Sequence, residues 1–205
     1  RLLGDLNYKP QVEVVSIYCD QFHEKDLCKE QAERCGIPIY PTIREAIRVG
    51  DTGTKIDGVV IIGEHGEYET DEKGVKHYPR RRLLEETLAA LDELKLDVPI
   101  FSDKHLSWNI DDTVWMYEEL KRRGTRFFGG SSIPWCPHVP AIDESLFKRS
   151  KEFFVLSYST AVEAYGYHAM EVLQSIAEKR AGGETGAKAI SAIRGDEVWA
   201  AMDRK

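Results

Sequence analysis

Short apolar runs alternate with amphipathic stretches along most of this chain, and the order of the two predicts its elements. Residues 12–19 (VEVVSIYC) are rich in β-branched side chains and predict a strand ending at Asp20. Residues 25–35 carry Leu27, Cys28, Ala32 and Cys35 at helical spacing and stop at Gly36, a natural helix terminator. A short strand is expected over residues 37–40. Thr42 then caps a helix over 43–49, with Glu45 three positions on in a capping-box pattern. Residues 59–62 (VVII) are continuously apolar, as in a strand covered on both faces.

A polar loop follows over residues 63–79, long enough for a functional connection, with Tyr68 and Tyr78 as candidate lid residues. Leu84, Leu88 and Leu91 share one face of a helix predicted over 81–94. A strand over 98–102, a helix over 111–123 closed by Gly124, and a strand over 126–129 complete the alternation. Strands and helices taking turns in this way specify an α/β chain with a doubly wound parallel sheet. The Gly- and Pro-rich residues 129–140 form the best domain boundary, dividing residues 1–130 from 131–205. Beyond it, residues 153–159 (FFVLSYS) read as a half-buried strand and 167–180 as a helix ended by Gly182 and Gly183. Residues 187–193 and 197–202 read as a helical pair, so that the second region is the start of an α+β domain.

The chemistry gathers where the apolar runs stop. One run ends in Gly63-Glu64-His65-Gly66 and the next in Asp103-Lys104-His105. Strands of a parallel sheet end along one rim, and ligands bind in the crevice outside it. Right-handed crossovers would bring Asp20, Gly63 to Gly66, and Asp103 to His105 to that same edge.

Composition narrows the classes. Net charge is −7, from 28 basic and 35 acidic residues, which gives no electrostatic case for nucleic acid or an anionic membrane. The one basic run, Arg80-Arg81-Arg82, opens a helix and reads as a solvated face. Four cysteines without CxxC spacing suit a reduced, cytoplasmic protein in which they are small apolar fillers. The first residues, Arg1 to Leu6, look like the tail of a helix, and the chain reads as a piece of a longer protein whose first strand lies upstream.

The strand ending in Asp20, the run Asp57-Gly58-Val59-Val60-Ile61-Ile62, and Pro99-Ile100-Phe101-Ser102-Asp103-Lys104-His105 together resemble the glucose–fructose oxidoreductase/inositol dehydrogenase (Gfo/Idh/MocA) family. In that family a D-x-V-x-I-x-T-P strand is followed one helix later by a strand ending in Glu-Lys-Pro. Gly166-Tyr167-His168-Ala169-Met170-Glu171 resembles the helix of its second domain that brings a histidine to the site. The match departs at Gly63-Glu64, where the family has Thr-Pro, and at His105, where it has Pro, and no GxGxxG is present. The resemblance implies a Rossmann-like fold and NAD(P)-dependent oxidation or reduction at a hydroxyl or carbonyl of a sugar-like substrate. It implies that Lys104 orients the substrate and His168 exchanges the hydroxyl proton, with Asp103 and His105 beside them. Asp20 would accept from a ribose of NAD or NADP, and Gly63, Glu64 and His65 would line the cofactor. Self-association into a homo-oligomer is left open.

Two other classes use the same residues. His65, His105 and His168, with nearby carboxylates, are the donor types of a divalent metal site, as in a metal-dependent lyase, isomerase or hydrolase. A non-catalytic sugar-binding or structural protein would keep the sheet and use its polar rim for recognition. Trp108, Trp115 and Trp135 could stack on a sugar or simply pack.

Overall fold

A computed structural model describes residues 11–24, 26–63, 66–159 and 162–202. These fall into two compact units, one up to Ser132 and one from Ile133. The first unit is mixed α/β. Its elements are β1 (Ile17–Tyr18), α1 (Cys28–Cys35), β2 (Ile39–Tyr40), α2 (Ile43–Arg48), β3 (Val59–Ile61), α3 (Arg80–Leu94), β4 (Ile100–Asp103), α4 (Ile110–Arg123) and β5 (Phe127–Gly130). β1 and β2 form one parallel pair, and β3, β4 and β5 form a parallel sheet in that order.

The helix ends follow local chemistry. Thr42 Oγ1 accepts from the Glu45 N–H at 3.1 Å and donates to the Glu45 carboxylate at 3.0 Å. Asn109 caps α4 by accepting from Asp111 and Asp112 N–H. α1 and α4 both end on glycines in the left-handed region, Gly36 and Gly124. After α2, Gly50 also has a positive φ, and a Cβ there would sit 2.6 Å from the Tyr40 ring, so a side chain would both strain the backbone and displace Tyr40.

The core lies between the helices and one face of the three-stranded sheet. Leu83, Leu84, Leu88 and Leu91 of α3 meet Ile43 and Ile47 of α2, Met116 and Leu120 of α4, and Ile61 and Ile100 of the strands. Both crossovers, β3–α3–β4 and β4–α4–β5, step across the sheet in one direction, so the same handedness puts both helices on one face. The opposite face carries the register-matched row Val60, Phe101 and Phe128. Val60 is 63% exposed and Phe128 75% exposed. The expected strand buried on both faces is therefore corrected: among the described residues β3 is covered on one side.

Other expectations are corrected too. β1 is two residues long, because Val12 and Val14 upstream of it are exposed and make no ladder. Of the four cysteines, Cys35 and Cys136 are exposed and fill no core.

The second unit contains α5 (Glu144–Arg149), α6 (Val162–Ala177) and α7 (Asp196–Met202), and no strand among its described residues. The strand expected over 153–159 is absent there. That segment has no ladder partner, and Phe154, Leu156 and Tyr158 are all exposed. The helix expected over 187–193 is absent as well, leaving α7 alone. No helix among the described residues is long and apolar enough to cross a membrane.

Candidate functional site

The first turn of α3 is built against its own dipole. It has no acidic residue, no side-chain cap, and three arginines in a row where the helix already carries partial positive charge. The compensation comes from elsewhere in the chain, and it organises the rim.

Arg80 is 6% exposed. Its guanidinium donates to the carbonyl of Gly63, just past β3, and to those of Asp103 at 3.3 Å and His105 at 3.0 Å, at the end of β4. One side chain thus ties two neighbouring strand ends to the helix that connects them. This corrects the reading of the arginine run as a solvated face. Arg80 stands four positions before Leu84 and three before Leu83, on the buried stripe, and that spacing was the available signal.

Arg81 and Arg82 turn outward to carboxylates. Arg81 binds Asp112 at 2.7 Å and Glu85 at 2.9 Å and lies over the Trp115 ring at 4.4 Å. Arg82 binds Glu86 at 3.0 Å and reaches Asp20, past the end of β1, at 2.5 Å.

Asp20 is the most heavily bonded acid of the rim. Its Oδ1 accepts from Tyr18 at 2.6 Å and from Arg82, and its Oδ2 accepts from Tyr68 at 2.9 Å. Burial works against the charged form, but the Tyr18, Arg82 and Tyr68 donors outweigh it and hold the carboxyl below its ordinary pKa. Burial and the same carboxylate raise the Tyr18 phenol. Next door, burial and the nearby Cys28 push the Cys19 thiol up to about 11, so it stays protonated at neutral pH. The sequence pattern does not mark Tyr18 and Tyr68 as partners of Asp20. For Tyr18 the signal was its place two residues before Asp20, on the same side of an extended chain.

The long connection from β3 to α3 is fastened at both flanks. On one, Gln21 exchanges hydrogen bonds with the Glu67 backbone at 2.9 and 3.3 Å, beside the Tyr68–Asp20 bond. On the other, His77 stacks on Trp108 with ring centroids 3.8 Å apart. Between them, residues 70–76 fold back in a turn held by the Asp71 carboxylate. A shallow, open depression of about 310 Å³ lies beside the helix start, lined by Tyr78, Arg81, Arg82, Trp108 and Asp112 among others.

The other candidates fall as follows. Lys104 Nζ lies 3.1 Å from Asp103 Oδ2, both partly exposed at the end of β4. His105 is half-buried, and its Nδ1 lies 3.1 Å from the Ser107 carbonyl, which makes Nε2 the acceptor of the neutral ring. Gly63 is buried, and a Cβ there would meet Leu83 at 3.2 Å, so it serves close approach of helix and strand. Glu64 and His65 lie outside the described residues. The structure thus brings Asp20, Gly63, Asp103, Lys104 and His105 to one rim around the start of α3.

His168 belongs to α6 in the second unit. Its Nδ1 lies 2.8 Å from Glu171 Oε2, one turn on, so the carboxylate fixes the ring and makes Nε2 the acceptor of its neutral form. Trp115 packs against the core, whereas Trp135 is exposed. Among the described residues, no three His, Cys, Asp or Glu side chains group as metal ligands. No protein-family model, no curated protein and no solved structure matches this chain.

Proposed function

We propose that the chain is part of an NAD(P)-dependent oxidoreductase acting on a hydroxyl or carbonyl of a sugar-like substrate, with a Rossmann-like first unit. The observation that carries this reading is the pairing of the strands. β1 pairs with β2, and β3 leads through β4 to β5, every pair parallel. Asp20, past β1, and the connection that follows β3 are joined through Tyr68 and through the Gln21–Glu67 pair, and Arg82 of α3 reaches the same carboxylate. In this reading the two windings diverge between β1 and β3. A divergence of this kind is where ligands bind in open α/β sheets, outside the carboxyl ends of the strands.

The residues present fit a dinucleotide. Asp20 carries a negative charge at a strand end with acceptor capacity left for a ribose hydroxyl, and Arg82 and Lys104 offer positive charge on the same rim. Bound NAD(P) supplies the hydride acceptor or donor. Lys104, steadied by Asp103, orients the substrate oxygen. The charged groups around the open depression beside Trp108 suit the hydroxyls of a sugar.

The test is a thermal-shift assay of the purified protein with NAD, NADP and EDTA in parallel. A rise of several degrees with either dinucleotide and no response to EDTA is expected. Indifference to both dinucleotides overturns the reading, and a fall with EDTA alone transfers it to metal chemistry.

A further inference from the structure

Asp20 as it stands has room for one hydroxyl of a ribose, not for both. A carboxylate offers about four acceptor positions, and Tyr18, Arg82 and Tyr68 occupy three of them. A vicinal diol donates two hydrogen bonds, one more than the remaining capacity. Tyr18 belongs to the strand itself, and Arg82 is also held by Glu86 on its own helix. Tyr68 is the donor carried by a connection; the Gln21–Glu67 pair fastens that connection to the Asp20 segment through groups that can exchange with water, while Lys76 Nζ on the Gly66 carbonyl, the His77 N–H on the Glu69 carbonyl and the Tyr68–Tyr78 edge contact tie it to its own loop.

We propose that residues 66–70 are a strap that Tyr68 latches onto Asp20, and that a ribose diol binds by displacing the Tyr68 hydroxyl. The proposal rests on the dinucleotide reading above and adds a step to it. The closed latch keeps Asp20 satisfied when no diol is present, and the diol takes over the same oxygen when it arrives. Affinity is therefore reduced by the cost of opening, as for any ligand that selects a less populated state.

The experiment is calorimetric titration of NAD into the wild-type protein, Tyr68→Phe and Gln21→Ala, with hydrogen exchange of the wild type with and without NAD. Removing the competing hydroxyl is expected to tighten NAD binding about tenfold, the scale of one hydrogen bond to a charged group. Gln21→Ala, which loosens the strap without touching Asp20, is expected to tighten it about threefold by the same population argument. NAD is expected to speed amide exchange over residues 66–70. Binding of NAD with equal or weaker affinity in both variants, or slower exchange over 66–70, overturns the strap and leaves the dinucleotide reading standing. Absence of NAD binding in all three proteins overturns the dinucleotide reading and the strap with it.

Discussion

The two faces of the β3–β4–β5 sheet have similar residues and different fates. On one, Ile61 and Ile100 disappear beneath α3 and α4; on the other, Val60 and Phe128 stand largely open. Apolar character alone does not distinguish them. What does is the direction of the two crossovers, which delivers both helices to the same side. Burial in this unit is a property of the path of the chain, and only then of its composition.

Truncating one residue on each face puts that contrast under the greatest strain. Leu84→Ala, beneath the covered face, is expected to cost about 3–4 kcal/mol in urea unfolding, because transfer and cavity terms add at a site 1% exposed. Arg80→Met comes next, at about 2–3 kcal/mol, because it leaves three carbonyls without their shared donor. A cost below about 0.5 kcal/mol would show that water or a neighbour replaces it readily.

Asp20→Asn tests the rim through pH. The folded-state pKa of Asp20 is depressed, so its contribution is present above the unfolded value and lost as pH falls through the folded one. The stability gap between wild type and Asp20→Asn should therefore be full above about pH 4 and close below it. A gap independent of pH would sink the ionised-Asp20 assignment. The smallest effect belongs to the open face: Phe128→Thr is expected to change stability by less than about 0.5 kcal/mol. If it costs as much as Leu84→Ala, that face is covered in the intact protein and the contrast dissolves.

The sequence was most legible where its signals are local. Thr42 with Glu45, Gly36, Gly124 and the Leu84-Leu88-Leu91 stripe each report on a helix within a few residues, and α1 to α4 follow them. Strand extent was less legible, since residues 12–16 and 153–159 have strand-like composition but form no ladder among the described residues. Pairing is set by distant parts of the chain, which no local pattern contains. Within the candidate site, the shared rim of Asp20, Gly63 and Asp103 to His105 follows from the order of elements. The role of Arg80 does not, because three identical residues conceal that one helical step separates a buried position from a partly exposed one.

Arg80 also governs how this rim can change. Its guanidinium holds the backbone oxygens of residues 63, 103 and 105. Substitution at 103 or 105 leaves that bracket intact, so new side chains can be tried there without dismantling the frame that presents them. The architecture confines its demand to a single arginine and leaves the neighbouring positions open to chemical innovation.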